Sequence, residues 1–383
     1  MIATGRGRLD MKSNFEEIAE EQESYTDDAL YNITSFGVDM SFREITSMYV
    51  EGDIEKPELQ RNYVWTKKEA SRFIDSVLLG LPVPSIFLAK TADAKLLIVD
   101  GYQRIMTIYD YMNGIFSGDG SIFKLTKADN IHPNWRGKAF VELTEAQKRS
   151  LKMYTIHAIV FEQKQPQNDT GMYQIFERIN TGGRTLRPQE IRNCVYHGQY
   201  NAMLFSLNQN ADWREIVGSH EVDARMSDIE LILRFFAFNS LRGQYDNQPR
   251  QINLVKFLNN YMAQQRDGTY QSGTCISVFE QVMRFLNQKI GNHCFRTCKV
   301  KNGSITWAKK VNPVILDAVC TATVTAQEQL TDDVMNSFDL LERYTQLMVN
   351  EEFISVTKSR TTDTVNIQKR VRLAARILYG IEI

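Results

Sequence analysis

The stretch Leu96-Leu97-Ile98-Val99-Asp100-Gly101-Tyr102-Gln103-Arg104 constrains this chain more than any other. Its four leading apolar residues read as a buried strand. A helical pattern of Ile105, Ile108, Tyr109 and Met112 follows the turn and stops at Gly114. A strand that feeds a helix through a short polar turn belongs to a fold of layered sheet and helices. It also points backbone N–H groups and the positive end of the helix dipole outward, where an anion can sit. Asp100, Gln103 and Arg104 crowd that turn. The carboxylate can hold a metal or activate a water, the amide can orient a water, and the guanidinium can grip phosphate in a fixed fork. The same spacing also fits a capping box, with Asp100 as N-cap and Gln103 three residues on. The residues themselves leave both readings open.

The rest of the chain supports an α+β fold. Residues 1–30 begin Gly/Arg-rich and turn acidic at Glu16, Glu17, Glu20, Glu21, Glu23, Asp27 and Asp28, with few apolar anchors, which predicts a mobile, solvated tail or a loosely docked helix. Residues 31–170 read as a small mixed sheet with helices. Strands are expected at Tyr31–Phe36, Ile86–Ala89, Leu96–Val99 and Thr155–Phe161. Capping boxes at Ser41/Glu44 and Thr66/Glu69 open two helices, Gln60–Trp65 is extended, and 114–150 reads as an insertion. From residue 171 to 383 helical periods dominate, at 172–180, 188–197, 228–240, 252–264, 276–289, 312–325, 332–349 and 365–379. A third capping box is read at Ser227/Glu230. No repeat period emerges, so a solenoid is not expected.

A net charge of -1 argues against a protein that coats DNA regardless of sequence, while leaving room for a local patch. Lys299, Lys301, Lys309 and Lys310 form a modest basic cluster, either a solvated face or a nucleic-acid contact. The five cysteines suggest no disulfide framework and suit a reducing, cytoplasmic setting. His293, Cys294 and Cys298 lie close together but have no second ligand pair at zinc-finger spacing. No apolar run approaches the ~20 residues of a membrane helix, so no membrane partner is expected. The chain has no Walker A loop, so any nucleotide site is not a P-loop.

Four blocks, in order, carry a resemblance. Val99-Asp100-Gly101-Tyr102-Gln103-Arg104 with Thr107 is similar to a DGQQR-x-x-T hallmark. Gln60-Arg61-Asn62-Tyr63-Val64-Trp65 is similar to a QRxYVW element. Phe176 to Gly183 with Leu186 and Gln189-Glu190-Ile191-Arg192 is similar to an F-x-R-I-N-x-G element with its downstream E-I-R. Arg225-Met226-Ser227-Asp228, with Glu230 and Leu233-Arg234-Phe235, is similar to the start of a helical extension. Together they resemble the DUF262 family, which includes the N-terminal half of GmrSD-type modification-dependent restriction enzymes. The resemblance implies a ParB/sulfiredoxin-like fold and a nucleotide-sensing or nucleotide-hydrolysing domain in a phage-defence or DNA-restriction system. The family's frequent partner, a DUF1524 HNH-type nuclease module, has no counterpart here: His293 stands alone in the C-terminal third. The resemblance therefore implies the sensor half, acting on or with DNA and with a separate nuclease or effector subunit. Homo-oligomerisation is left open.

The expected site follows. Asp100, Gln103 and Arg104 are the candidate catalytic residues, with Asp100 holding Mg²⁺ or a water. Gln60, Arg61, Gly101, Tyr102, Arg178 and Asn180 are the candidate nucleotide and phosphate contacts. Tyr102 replaces the first Gln of the family's pair, which could lower hydrolysis. Packing is the competing role for Tyr63, Trp65 and Tyr102, and a helix C-cap for Asn180. Three functions fit: an Mg²⁺-dependent NTPase switch, a hydrolysis-inactive DNA-binding module, and a metal-dependent ParB-like nuclease.

Overall fold

The computed structural model describes residues 14–18, 31–55, 63–91, 94–165, 170–179, 186–196, 198–223, 225–267, 272–301 and 304–383. Its class is mixed α+β, with a small mixed sheet near the N-terminus and sixteen α-helices among the described residues. The chain divides into two compact units, Thr26–His197 and Gly198–Ile383, the second joined by the segment before Thr26. No described helix is long and apolar enough to cross a membrane.

The first unit contains β1 (Tyr31–Ser41), α1 (Phe42–Glu51), β2 (Ile54–Glu55), α2 (Lys67–Leu78), β3 (Ile86–Lys90), β4 (Leu96–Asp100), α3 (Tyr102–Asn113), α4 (Glu145–Met153), β5 (Thr155–Gln165), α5 (Thr170–Ile179) and α6 (Pro188–Val195). Its sheet runs β1-β5-β3-β4-β2. The β1/β5 and β3/β4 pairs are antiparallel, whereas β3/β5 and β2/β4 are parallel. Apolar faces of Ile86, Leu88, Ile98, Ile156, Ala158 and Val160 meet Phe42, Ile45, Ile74 and Ile105 from the helices in one core. β1 is longer than the sequence pattern suggests, because its backbone pairs with β5 all the way to Ser41.

Residues 114–150, the expected insertion, pack into this unit. Phe116, Phe123, Leu125, Ile131, Trp135 and Phe140 are buried in the same core. Two buried polar groups on α2 fix the segment: Ser71 Oγ accepts from Thr126 N at 3.0 Å, and Asp75 Oδ1 accepts from His132 N at 2.8 Å and Trp135 Nε1 at 2.7 Å.

The Thr66/Glu69 capping box is present in full. Hydrogen bonds from Thr66 N and Oγ1 hold the Glu69 carboxyl below the usual carboxylate range. A depressed folded-state pKa adds stability above the unfolded value near 4.3 and loses it as pH falls through the folded value. Thr66→Ala is therefore expected to cost about 1 kcal/mol at neutral pH, with a smaller gap at pH 3; urea unfolding at both pH values checks this. An equal gap at both would exclude the carboxylate's part.

The second unit contains α7 (Gln199–Leu207), α8 (Ala211–Val217), α9 (Ser227–Asn239), α10 (Leu254–Asp267), α11 (Ser272–Lys289), β6 (Cys298–Lys301), β7 (Ser304–Trp307), α12 (Pro313–Gln329), α13 (Asp332–Ser337), α14 (Leu340–Val349), α15 (Glu351–Lys358) and α16 (Thr364–Tyr379). Two expectations change here. The predicted helix 332–349 is two helices, because the Asp339 side chain accepts from Glu342 N and opens α14. Ser227 is not an N-cap: Met226 takes that position at φ 60°, and Ser227 is already helical. Of the N-terminal stretch, residues 14–18 are described, and they dock on this unit. Phe15 is 5% exposed, and Glu16 N donates to Val311 O while Val311 N donates to Asn14 O, both at 2.9 Å. Buried Phe15, these backbone bonds and the Asn312 Nδ2 donation to Glu16 Oε2 hold the segment.

Candidate functional site

Strand β4 ends at Asp100, and α3 begins two residues later, at Tyr102. Gly101 joins them with φ 103°, a backbone conformation that L side chains rarely adopt. A Cβ there would overlap the side chain of Ile86 on β3. The glycine thus lets the turn sit directly on the neighbouring strand. It also leaves the helix start without a side-chain cap and without an acidic residue in its first turn. The Asp100/Gln103 capping-box reading does not hold, because Gly101, not Asp100, is the N-cap.

Asp100 is instead clamped by the helix it precedes. Arg104 Nη2 donates to Asp100 Oδ2 at 2.7 Å and to Ser85 O at 3.0 Å. The carboxylate side chain is 45% exposed and the guanidinium 15%. Arg104 Nε is buried with no hydrogen-bond partner. Such donors are costly and mark places where a bound water or ligand completes the set. The site therefore presents a half-exposed carboxylate, a guanidinium and uncapped helix N–H groups within one turn.

Gln103 does something that sequence reasoning missed. Its Oε1 accepts from Val64 N at 3.0 Å and Trp65 N at 3.2 Å. One turn on, Thr107 Oγ1 donates to Gln103 O at 2.7 Å and lies 2.6 Å from Tyr63 Oη. The two motif residues on α3 thus seat Tyr63-Val64-Trp65 against the DGYQR turn. Tyr63 stands edge-on to Phe116 at 5.2 Å and Trp65 edge-on to Phe73 at 5.6 Å, so both rings pack. Tyr102 is 8% exposed within the core, where burial pushes its hydroxyl up to about 12. Burial raises Tyr63 still further, so both phenols are neutral in ordinary buffers. Nothing in the spacing of Gln103 and Thr107 announces this link to residues 63–65. Only their joint presence with the QRNYVW block hints at it.

Not every candidate is placed. Gln60, Arg61 and Asn180 lie outside the described residues, as does the glycine pair after Asn180. Arg178 is exposed in the last turn of α5. Helix α6 buries four polar side chains, Gln189, Glu190, Arg192 and Asn193, at 4% exposure or less. Arg192 Nη1 donates to Gln189 Oε1 at 2.8 Å. This buried polarity falls on the Gln189-to-Arg192 block and its neighbour Asn193, none of them among the expected site residues. Among the described residues no three His, Cys, Asp or Glu side chains converge on a metal position.

Comparison with known proteins identifies a family. The family model described as GmrSD restriction endonuclease, N-terminal domain, covers residues 42–197. It spans α1 to α6 and includes the whole turn. No curated protein and no solved structure matches the chain.

Proposed function

Residues 42–197 form a GmrSD-type N-terminal domain, and from this premise we propose that the turn after β4 binds the phosphates of a nucleoside triphosphate and hydrolyses it in the service of a DNA-restriction system. The family points to a restriction or phage-defence context. The observation that carries the nucleotide reading is the uncapped start of α3 with Arg104 and Asp100 side by side on it. Helix N–H groups and a guanidinium stabilise phosphate, and a single carboxylate together with substrate phosphates satisfies Mg²⁺. Asp100 would hold that ion, which would neutralise developing charge on the phosphates. Arg104 supplies the phosphate fork. Gln103 is a positioning residue in this scheme, since its amide oxygen fixes the backbone that follows Gln60-Arg61. Arg61 is the second phosphate candidate, with Gln60, Arg178 and Asn180 as further contacts.

The test is phosphate release from ATP, GTP, CTP and UTP with Mg²⁺, with and without DNA. Arg104→Ala is expected to lower release about 10²–10³-fold, and Arg104→Lys to restore little, because an ammonium lacks the planar fork. Unchanged release by a folded Arg104→Ala would refute the assignment. A second reading, a hydrolysis-inactive DNA-binding module, draws on Tyr102. The phenol is buried at the position of the family's first Gln and offers no exposed amide to a water. Nucleotide binding without release would favour it. Metal-dependent DNA nicking lost in Asp100→Ala would favour a nuclease.

A further inference from the structure

The second unit carries a projection that the nucleotide site does not use. Strands β6 and β7 form a two-stranded antiparallel ribbon with the register Cys298↔Trp307, Lys299↔Thr306, Val300↔Ile305 and Lys301↔Ser304. Side chains alternate across a ribbon, so Lys299, Lys301, Ser304 and Thr306 share one face. Cys298, Val300, Ile305 and Trp307 share the other.

The base of the ribbon is fixed. Trp307 stacks on His293 at 4.9 Å and on Tyr344 of α14 at 5.6 Å. Ala308 N donates to Thr297 O at 2.8 Å. Just beyond, Arg296 Nε donates to Lys309 O at 3.2 Å. Away from the base both faces are open to solvent: Lys299, Lys301, Ser304 and Thr306 are exposed, and Val300 and Ile305 are 48% and 47% exposed. Lys309 and Lys310 are exposed where the chain leaves the ribbon.

The charge is as one-sided as the shape. Residues 297–312 contain four lysines and no acidic residue, in a chain whose net charge is -1. A solvated hairpin on a neutral protein does not need such segregation, and two exposed β-branched apolar residues on its other face cost solubility. A polyanion with apolar edges accounts for both. A two-stranded ribbon fits the major groove of B-DNA, where lysines reach phosphates, hydroxyls reach phosphate or base edges, and aliphatic groups meet the thymine methyl.

We propose that the β6–β7 ribbon is a duplex-DNA docking element, with Lys299, Lys301, Lys309 and Lys310 contacting phosphates. It belongs to the second unit, and the proposal does not rest on the nucleotide reading.

The test is fluorescence anisotropy of a labelled mixed-sequence DNA duplex with the full chain, across a salt series, with and without ATP and Mg²⁺. Each phosphate-bound lysine contributes about 0.9 to the slope of log K against log salt. Lys299→Ala with Lys301→Ala is therefore expected to flatten the slope by roughly 2 and to weaken binding at low salt, while the melting temperature stays unchanged. Lys358→Ala with Lys369→Ala, the same charge change on α15 and α16, is the control and is expected to leave the slope unaltered. An unchanged slope in the ribbon variant would overturn the proposal. So would equal flattening in the control, no duplex binding by the wild type in either condition, or tighter binding of single-stranded RNA than of duplex DNA. Loss of phosphate release in Arg104→Ala with normal DNA binding would separate this element from the nucleotide site.

Discussion

Gly101→Ala is expected to destabilise the sheet unit by about 2–5 kcal/mol, a large fraction of a domain's total stability. Two costs add. At φ 103° an alanine is strained whatever surrounds it, and its Cβ would overlap Ile86, a core residue at 0% exposure that cannot retreat. Gly114→Ala separates them. Gly114 ends the same helix at φ 85°, but nothing lies within 4 Å of its Cβ position. It is expected to cost only about 1 kcal/mol. Urea unfolding of both variants, followed by tryptophan fluorescence, gives the comparison. Equal costs at the two glycines would remove the steric argument and, with it, the close seating of the DGYQR turn on β3. The functional corollary is that any Gly101→Ala protein that does fold has moved Asp100 and Arg104 relative to each other.

The second large effect lies in the helical unit. Helix α12 is buried from Pro313 to Ala326 and carries Asp317 into the interior. Arg234 of α9 binds that carboxylate through Nε at 3.0 Å and Nη2 at 2.5 Å. Arg370 of α16 reaches it through Nη2 at 3.5 Å and donates from Nη1 to Thr361 O at 2.6 Å. Side chains of all three are at most 2% exposed, and both guanidiniums lie over the Phe238 ring. Asp317→Ala leaves two buried cations without their shared counter-charge and is expected to cost about 3–5 kcal/mol. The combined Arg234→Met, Asp317→Leu, Arg370→Met protein is expected to cost far less than Asp317→Ala, because the three desolvated charges are removed together. Chemical denaturation of both proteins decides. A cost below about 1 kcal/mol for Asp317→Ala would mean that water reaches the cluster and screens it.

The resemblance and the α+β class were legible because their signals are local. The strand, the glycine turn and the amphipathic start of α3 fall within eighteen residues of one another, and the Thr66/Glu69 box spans four. Period and cap chemistry are set by side chains a few positions apart, so they survive without knowledge of the rest of the fold. Where local chemistry was ambiguous, the neighbouring strand decided. Asp100 could have capped α3, but Gly101 had to meet Ile86, and Arg104 had both Asp100 and Ser85 O within reach.

The sequence by itself determined the mixed sheet, most of its helices and the crowded turn that carries Asp100, Gln103 and Arg104. Tertiary structure alone decided what those groups touch. Gln103 finds backbone amides 38 and 39 residues away, Val311 finds the segment around Phe15, and Asp317, spaced like any helix residue, meets arginines 83 and 53 positions distant. Hydrogen bonds and ion pairs act over a few ångströms of space, and only the packed core determines which distant residues come that close.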